Sequence, residues 1–124
     1  MNKENKAAAS IRNVVEEPWQ QFPGHFGGAL SKALVRPENA GSRLVDYRIS
    51  TYQPMAYVER HAHKVQEQIS HVGEGEGTME RAGLRQVVRR HDVIFIPPGV
   101  PHSIANNGLT DLTFIVVTTP VEDR

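Results

Sequence analysis

The sequence has no cysteine and no long apolar run, and both absences restrict what the protein can do. Without cysteine there is no disulfide, no thiolate metal site and no cysteine nucleophile, so a bound metal must be held by imidazole, carboxylate or backbone oxygen. No apolar run approaches the length of a membrane span. An excess of one charge is also missing, because 14 Lys and Arg balance 14 Asp and Glu. We therefore expect a cytoplasmic protein whose partner is neither a nucleic acid nor a membrane.

The length of 124 residues suits one domain with one core. Residues 1–10 are polar and alanine-rich, without the apolar stretch of a signal peptide, and are predicted to be a flexible leader. Residues 11–28 contain Pro18 and Pro23, which argue against a long helix, so we predict an irregular N-terminal arm packed on the domain. Residues 29–124 then form the domain itself.

Most of the sequence after residue 28 consists of short predicted β-strands. The segments are apolar or alternating, and turn-forming pairs such as Pro98-Gly99 and Asn107-Gly108 separate them. Many short strands with regular turns are typical of a sandwich or a closed barrel, so we predict an all-β fold, an antiparallel β-sandwich or barrel. The predicted strands lie near residues 29–36, 43–52, 56–63, 67–73, 76–81, 84–89, 92–97, 102–106 and 111–118.

Two of the six histidines, His61 and His63, stand two residues apart in a predicted strand. Side chains at i and i+2 project from the same face of a strand, so both imidazoles face one way. Spacing alone does not distinguish two metal ligands from two surface histidines. Glu67 adds a carboxylate at even spacing, although a turn intervenes. Two histidines and one carboxylate form a facial ligand set that leaves metal positions open.

A second segment ends in a histidine held by a rigid turn. The predicted strand that follows His91 runs into Pro98-Gly99, and His102 comes three residues after that glycine. Proline and then glycine suit the two central positions of a type II turn, in which the second residue needs a positive φ. Such a turn orients His102, and a metal site needs ligands whose orientation is set in advance.

The two segments resemble the two motifs of the cupin family. Residues 61–77, HAHKVQEQISHVGEGEG, are similar to the first motif, HxH, three or four residues, Glu and a downstream Gly. Residues 91–106, HDVIFIPPGVPHSIAN, are similar to the second, with its Pro, Gly, His and Asn at positions 97, 99, 102 and 106. The resemblance implies a small single-domain cupin with a conserved jelly-roll barrel, also called a double-stranded β-helix. It also implies a metal bound by His61, His63, Glu67 and His102.

The sequence departs from the family pattern at two strand edges. Met55 and His91 stand where the first and second motifs begin with glycine. Both departures bear on turn geometry rather than on metal ligation. The interval from Glu67 to the motif glycine fits Gly73 or Gly75 only loosely, which leaves the bend there undetermined.

His71 has two interpretations. If the strand that begins at Glu67 is regular, His71 shares its face and points into the metal cavity. There it would act beside the ligands or as a general acid or base, because the pKa of imidazole lies near the working pH. The alternative is a barrel-wall histidine bonded to a neighbour. His25 and His91 follow no ligand spacing and are expected to be surface or packing residues.

The strand near residues 43–52 presents a polar set of side chains on each face, and alternation does not tell which set lines the cavity. An inward Arg48 would suit an anionic substrate, whereas a solvent-facing arginine is the ordinary expectation. One face carries Tyr47 and Thr51, and the other carries Arg48, Ser50 and Tyr52.

The predicted ligand set favours Fe, Mn, Ni, Co, Cu or Zn as one divalent ion with open positions, since Mg²⁺ and Ca²⁺ prefer oxygen. The leading hypothesis is a metalloenzyme acting on a small polar molecule that chelates the ion through oxygen. The cupin resemblance implies dioxygenases, decarboxylases, isomerases and lyases, and we favour an Fe(II)-dependent dioxygenase in which Glu67 lowers the net charge on iron.

The rival hypothesis is a non-catalytic module that captures a sugar or a small acid. It would be favoured by a cavity without any acid or base beyond the ligands, so the direction of His71 discriminates between the two. In either case we expect a homodimer, because exposed apolar strands of small β-barrels pair across a two-fold axis.

Overall fold

The computed structural model describes residues 8–124, so most of the predicted leader lies outside the described residues. Nearly all of the regular structure is antiparallel β, which confirms the predicted fold class. A 3-10 turn at Val14–Glu16 and a helical turn, α1, at Pro37–Ala40 are the exceptions among these residues. The strands are β1 His25–Phe26, β2 Ala29–Val35, β3 Asp46–Tyr52, β4 Tyr57–Val58, β5 Glu67–Glu74, β6 Glu76–Arg81, β7 Leu84–Arg89, β8 Val93–Ile96, β9 His102–Ala105 and β10 Leu112–Thr119.

The strands form two five-stranded sheets that face each other as a jelly-roll barrel. One sheet has the order β2-β3-β10-β5-β8, and the other has the order β1-β4-β9-β6-β7. Their inner faces enclose a core that contains the buried residues Tyr52, Val72, Ile96 and Leu112. None of the described helices is long and apolar enough to cross a membrane.

The register of the first sheet decides which side chains enter the barrel. Residues opposite each other in an antiparallel pair share a face. Asp46 lies opposite Thr118, which in turn lies opposite Gln68, and all three point inward. The neighbouring row, Tyr47, Val117 and Ile69, therefore lies on the outer face of the sheet.

The N-terminal arm lies along the first sheet and is held by polar contacts. The backbones of Gln20 and Ser31 exchange two hydrogen bonds of 2.9 Å. The ammonium of Lys32 donates to the Val14 carbonyl at 3.0 Å and lies 4.9 Å from the centre of the Trp19 ring. The end of the arm, including His25, lies against the barrel because β1 pairs with β4.

Met55 and His91, the two departures from the cupin motifs, both have a φ of 79°. This left-handed backbone conformation costs a residue with a Cβ about 1–2 kcal/mol, and glycine escapes most of that cost. Both side chains are exposed, so their removal loses little packing. We expect Met55→Gly and His91→Gly each to raise the free energy of unfolding by about 1 kcal/mol and Tm by roughly 4 °C.

Thermal and urea unfolding of the two glycine variants test this expectation. Alanine at the same positions is the matched control, because it removes the side chain and keeps the strained φ. If the alanine variants are stabilised as much as the glycine variants, backbone strain is not the cause.

Candidate metal centre

His61 and His102 lie directly opposite each other in an isolated antiparallel bridge. Their backbones exchange two hydrogen bonds, His61 N–H to the His102 carbonyl at 3.0 Å and the reverse at 2.8 Å. Opposed residues of this kind project from the same face, so the ring centroids lie only 4.3 Å apart. Backbone hydrogen bonds thus join one histidine of the first motif to the histidine of the second.

His63 completes the group from the loop that follows His61. Its ring centroid lies 5.1 Å from that of His61 and 5.3 Å from that of His102. The Pro98-Gly99 turn positions it, because Gly99 has a φ of 83° and its N–H donates to the His63 carbonyl at 2.7 Å. The predicted turn therefore supports a histidine of the first motif as well as that of the second.

Two of the imidazoles are oriented by hydrogen bonds from Nδ1. In His61 this nitrogen lies 2.9 Å from the Glu59 carbonyl, and in His102 it lies 2.9 Å from the Val100 carbonyl. A carbonyl only accepts, so Nδ1 carries the proton in the neutral ring and Nε2 presents its lone pair. This backbone partner on the far nitrogen is the arrangement that fixes metal-binding histidines.

His102 is buried, with 2% of its surface exposed, and its Nε2 has no hydrogen-bond partner among the described residues. The pKa of His102 is lowered from 6.5 to about 4, mainly by burial; the hydrogen bond to the Val100 carbonyl raises it, and the nearby His61 and His63 lower it. The ring is therefore neutral at pH 7, as a metal ligand must be.

The loop that carries His63 is held by the C-terminal segment. The Asp123 carboxylate accepts hydrogen bonds from the backbone N–H groups of Lys64, Val65 and Gln66 at 2.7–3.2 Å. The N–H groups of Val65 and then Lys64 are the main reason that the pKa of Asp123 lies below its ordinary value. The same carboxylate lies 3.8 Å from Nδ1 of His63.

Gln68 presents an amide oxygen to His63. It points inward from the second residue of β5, and its Oε1 lies 3.2 Å from Nε2 of His63. The sequence analysis missed this residue although a signal was present. The first cupin motif allows three or four residues between HxH and its glutamate. With four residues, the glutamate position of the motif falls on Gln68 instead of Glu67.

Glu67 and His71 do not face the cavity, and the expectation that they share an inward face is wrong. Both are exposed on the outer face of β5, whereas the alternate residues Gln68, Ser70 and Val72 point inward. The reason is that residues 62–66 do not form a strand, so the alternation that begins at His61 does not continue through them. The barrel-wall interpretation of His71 is the one that agrees with its position.

A cavity of about 260 Å³ lies beside the histidines and receives side chains from both sheets. Arg48, Ser50 and Tyr52 line it, so the expectation of a solvent-facing Arg48 is wrong. Asp46 and His25 line it as well. Asp46 shares strand parity with Arg48, a signal present in the sequence, whereas the position of His25 depends on how the arm packs.

The three histidines fit a divalent transition metal. One ring nitrogen from each lies within 4.8 Å of the other two. Small ring rotations bring such atoms to the roughly 3 Å that separates neighbouring ligands when metal–nitrogen bonds are about 2.1 Å long. The buried Nε2 of His102, which has no hydrogen-bond partner within residues 8–124, gives independent support, since a metal would satisfy it.

A two-sheet antiparallel barrel that gathers three histidines beside an internal cavity defines the class of jelly-roll proteins with a candidate metal centre. The chain belongs to the cupin family, because the cupin domain profile matches residues 48–118, more than half of the chain. The predicted membership is therefore confirmed.

Individual relatives extend this assignment only at the level of fold. An uncharacterized protein of Methanocaldococcus jannaschii is 35% identical over 60 residues, which cover 48% of this chain and 48% of that protein, so the chain matches about half of that relative's length. A predicted oxalate decarboxylase of Thermotoga maritima superimposes with a TM-score of 0.81 at 24% identity, over 90% of this chain and 99% of the other. The polyketide cyclase RemF of Streptomyces resistomycificus superimposes with a TM-score of 0.81 at 21% identity, over 93% of this chain and 81% of the other. KdgF of Halomonas sp. superimposes with a TM-score of 0.77 at 20% identity, over 94% of this chain and 97% of the other.

Proposed function

We propose that this protein is a metalloenzyme that binds one divalent transition metal and acts on a small polar molecule. The ligands are His61, His63 and His102, and the Gln68 amide oxygen is the fourth. The observation that carries the proposal is the buried Nε2 of His102, which has no partner among the described residues and belongs to the close group of three imidazoles. Fe, Mn, Ni, Co, Cu and Zn all suit nitrogen donors with one oxygen.

The donor set favours Lewis-acid chemistry. When bound, the metal polarises a substrate oxygen at its open coordination positions. All four donors are neutral, so the ligands themselves offset none of the charge of the ion. This favours an isomerase, decarboxylase or lyase over the Fe(II)-dependent dioxygenase, because the argument for iron rested on the carboxylate of Glu67, which lies outside the cavity.

Two groups in the cavity are suited to proton transfer. Nδ1 of His25 lies 3.0 Å from the Pro23 carbonyl, so its Nε2 is the nitrogen that accepts a proton. Asp46 is a second titratable group on the cavity wall. A module that only captures a sugar or a small acid needs neither group, and their presence favours the enzyme over the binding module.

Elemental analysis of protein purified without a histidine tag tests the metal, and oxygen uptake by the iron-loaded protein tests the dioxygenase. We expect close to one equivalent of a transition metal and no substrate-dependent oxygen uptake. Absence of any transition metal from the purified protein, together with failure to take up Zn²⁺, Mn²⁺ or Fe²⁺, would contradict the proposal.

Gln68 and Glu67 are adjacent in sequence and provide a matched pair. We expect Gln68→Ala to weaken metal binding by about tenfold or more, because one donor is lost beside His63. Glu67→Ala removes a similar side chain on the outer face and should leave the affinity unchanged. Titration calorimetry with Zn²⁺ measures both. A larger loss in Glu67→Ala than in Gln68→Ala would reverse the assignment.

The homodimer remains a prediction, which the outer face of the first sheet supports. One cross-strand row on that face, which contains no charged side chain, runs through Tyr47, Val117, Ile69 and Phe95. Ile69 is 42% exposed and Phe95 is 53% exposed. A second copy related by a two-fold axis would present the same apolar row, and no opposite charges are needed for the two rows to fit.

We therefore expect Phe95→Glu to convert a dimer into a monomer, because a carboxylate cannot be buried in this row without a partner. Light scattering coupled to size-exclusion chromatography measures the mass. Leu84→Glu is the control, since Leu84 is 65% exposed but lies on the other sheet. A wild-type monomer, or a dimer that persists in Phe95→Glu, would exclude this face as the interface.

A further inference from the structure

Asp46 and Arg48 form an ion pair on the wall of the cavity that holds the three histidines. Both project inward from β3, in the sheet that faces the one carrying His102. Nε of Arg48 donates to Oδ1 of Asp46 at 2.7 Å, and Nη2 donates to Oδ2 at 3.1 Å. The proposed metal chemistry gives no role to the charge of Arg48, so the position of this arginine in the cavity needs another explanation.

The contacts of Arg48 use one edge of its guanidinium group and leave another edge available. Asp46 occupies the Nε–Nη2 edge, and the Phe22 ring lies 4.4 Å from Cζ. Nη1 of Arg48 has no hydrogen-bond partner among residues 8–124. A guanidinium has five N–H donors in a rigid plane, so the Nη1–Nη2 edge retains a second fork for a carboxylate.

We propose that this fork binds the carboxylate of the substrate, so that the protein acts on a small acid rather than on a neutral sugar or alcohol. The inference rests on the proposed function, because another oxygen of the same molecule would bind the metal. Asp46 and Phe22 hold the plane of the guanidinium before the substrate arrives, which reduces the entropy lost on binding.

Charge and size agree with a small acid. The Asp46–Arg48 pair is neutral as a whole, and the three imidazoles and the Gln68 amide are neutral donors. An anion would therefore meet a positive ion whose ligands are all neutral, as well as the Arg48 fork. The cavity of about 260 Å³ is smaller than typical pockets for drug-sized ligands, which begin at roughly 300 Å³, and suits a molecule no larger than a monosaccharide or its acid.

Binding of gluconate and sorbitol to the Zn²⁺-loaded protein tests the inference, because the two chains differ mainly in the carboxylate. Titration calorimetry should give a Kd for gluconate at least tenfold lower than for sorbitol. Arg48→Met should raise the gluconate Kd by about tenfold to a hundredfold and leave sorbitol unchanged, since a charge-assisted bidentate contact is lost. Arg85→Met, which removes an exposed arginine of β7, should change neither value.

Two further variants separate the fork from other effects. Asp46→Asn/Arg48→Met removes both charges, so the loss of gluconate binding should persist although no unpaired carboxylate repels the anion. Arg48→Lys keeps the charge without the planar fork and should give an intermediate Kd, which preserves the test if Arg48→Met does not fold. Equal gluconate affinity in wild type and these variants overturns the inference.

Failure of this inference differs from failure of the proposed function. If the protein binds Zn²⁺ through the histidines and gluconate binding does not depend on Arg48, the metal site stands and the substrate class is wrong. If His102→Ala does not reduce Zn²⁺ binding, the metal site is wrong. The same gluconate titration on metal-free protein then still tests the Arg48 fork alone, where a weaker but Arg48-dependent affinity is expected.

Discussion

Replacing His102 with alanine is expected to lower the Zn²⁺ affinity by about a hundredfold to a thousandfold, because four ligands together supply roughly 10–16 kcal/mol in structural zinc sites and one of them is lost. His102 contributes more than a nitrogen. Its ring is the most buried of the three imidazoles, and its Nε2 is a buried nitrogen that lacks a hydrogen-bond partner in the described part of the chain. Calorimetry and metal analysis after dialysis measure the loss.

The controls for this result use residues of the same types outside the cavity. His71→Ala removes an exposed histidine of β5, and Glu67→Ala removes the carboxylate that the sequence motif suggests; both should retain wild-type affinity. Circular dichroism establishes that each variant folds. Saturating Zn²⁺ at a thousand times its Kd should stabilise the wild type by about 4 kcal/mol and stabilise His102→Ala far less. Wild-type Zn²⁺ affinity in His102→Ala would contradict the assigned site.

The three histidines could be predicted because each follows a local rule. His61 and His63 are two residues apart, with His61 in an isolated β-bridge, and His102 follows a Pro-Gly turn whose glycine has the positive φ that the turn requires. Both rules depend on a few consecutive residues. The cupin motifs then link the two segments, and the bridge between His61 and His102 is the physical form of that link.

The proposed fourth ligand, Gln68, could not be predicted by counting alternation from His61. Strand parity holds only while the chain stays extended, and the loop between His63 and β5 is shaped by hydrogen bonds to Asp123, about sixty residues later in the sequence. A shift of the alternation by one residue exchanges the two faces of β5, and it therefore places Gln68 rather than Glu67 on the inner face. Contacts between distant segments decide such a register, and local patterns do not report them.

The residues of the cavity wall could not be predicted from local patterns either. Alternation along β3 separates Tyr47 and Thr51 from Arg48, Ser50 and Tyr52, but the pairing with β10 decides which set is inside. His25 enters the cavity only because the arm returns to the barrel, where β1 pairs with β4. The positions of the proposed acid and base groups therefore depend on tertiary structure, and the sequence motifs describe the candidate metal ligands alone.

Asn106, the last residue of the second motif, is expected to matter for stability rather than for metal binding. Its side chain is 1% exposed and donates to the carbonyls of Tyr52 at 2.7 Å and Thr110 at 2.8 Å. Its Oδ1 accepts from the Gly108 N–H at 2.9 Å. These three bonds tie the end of β3 to the turn between β9 and β10, and none of them reaches the histidines.

We expect Asn106→Ala to lower the free energy of unfolding by about 3 kcal/mol, because three hydrogen bonds are lost and buried carbonyls are left without a donor. Urea unfolding of the metal-free protein measures the change. Asn107→Ala is the matched control, since Asn107 is the same residue type one position along and is exposed. Zn²⁺ affinity should fall little in folded Asn106→Ala. If the Zn²⁺ affinity of Asn106→Ala falls as far as that of His102→Ala while its free energy of unfolding is unchanged, Asn106 belongs to the metal site. The role assigned to it here, closing the turn between β9 and β10, would then be wrong.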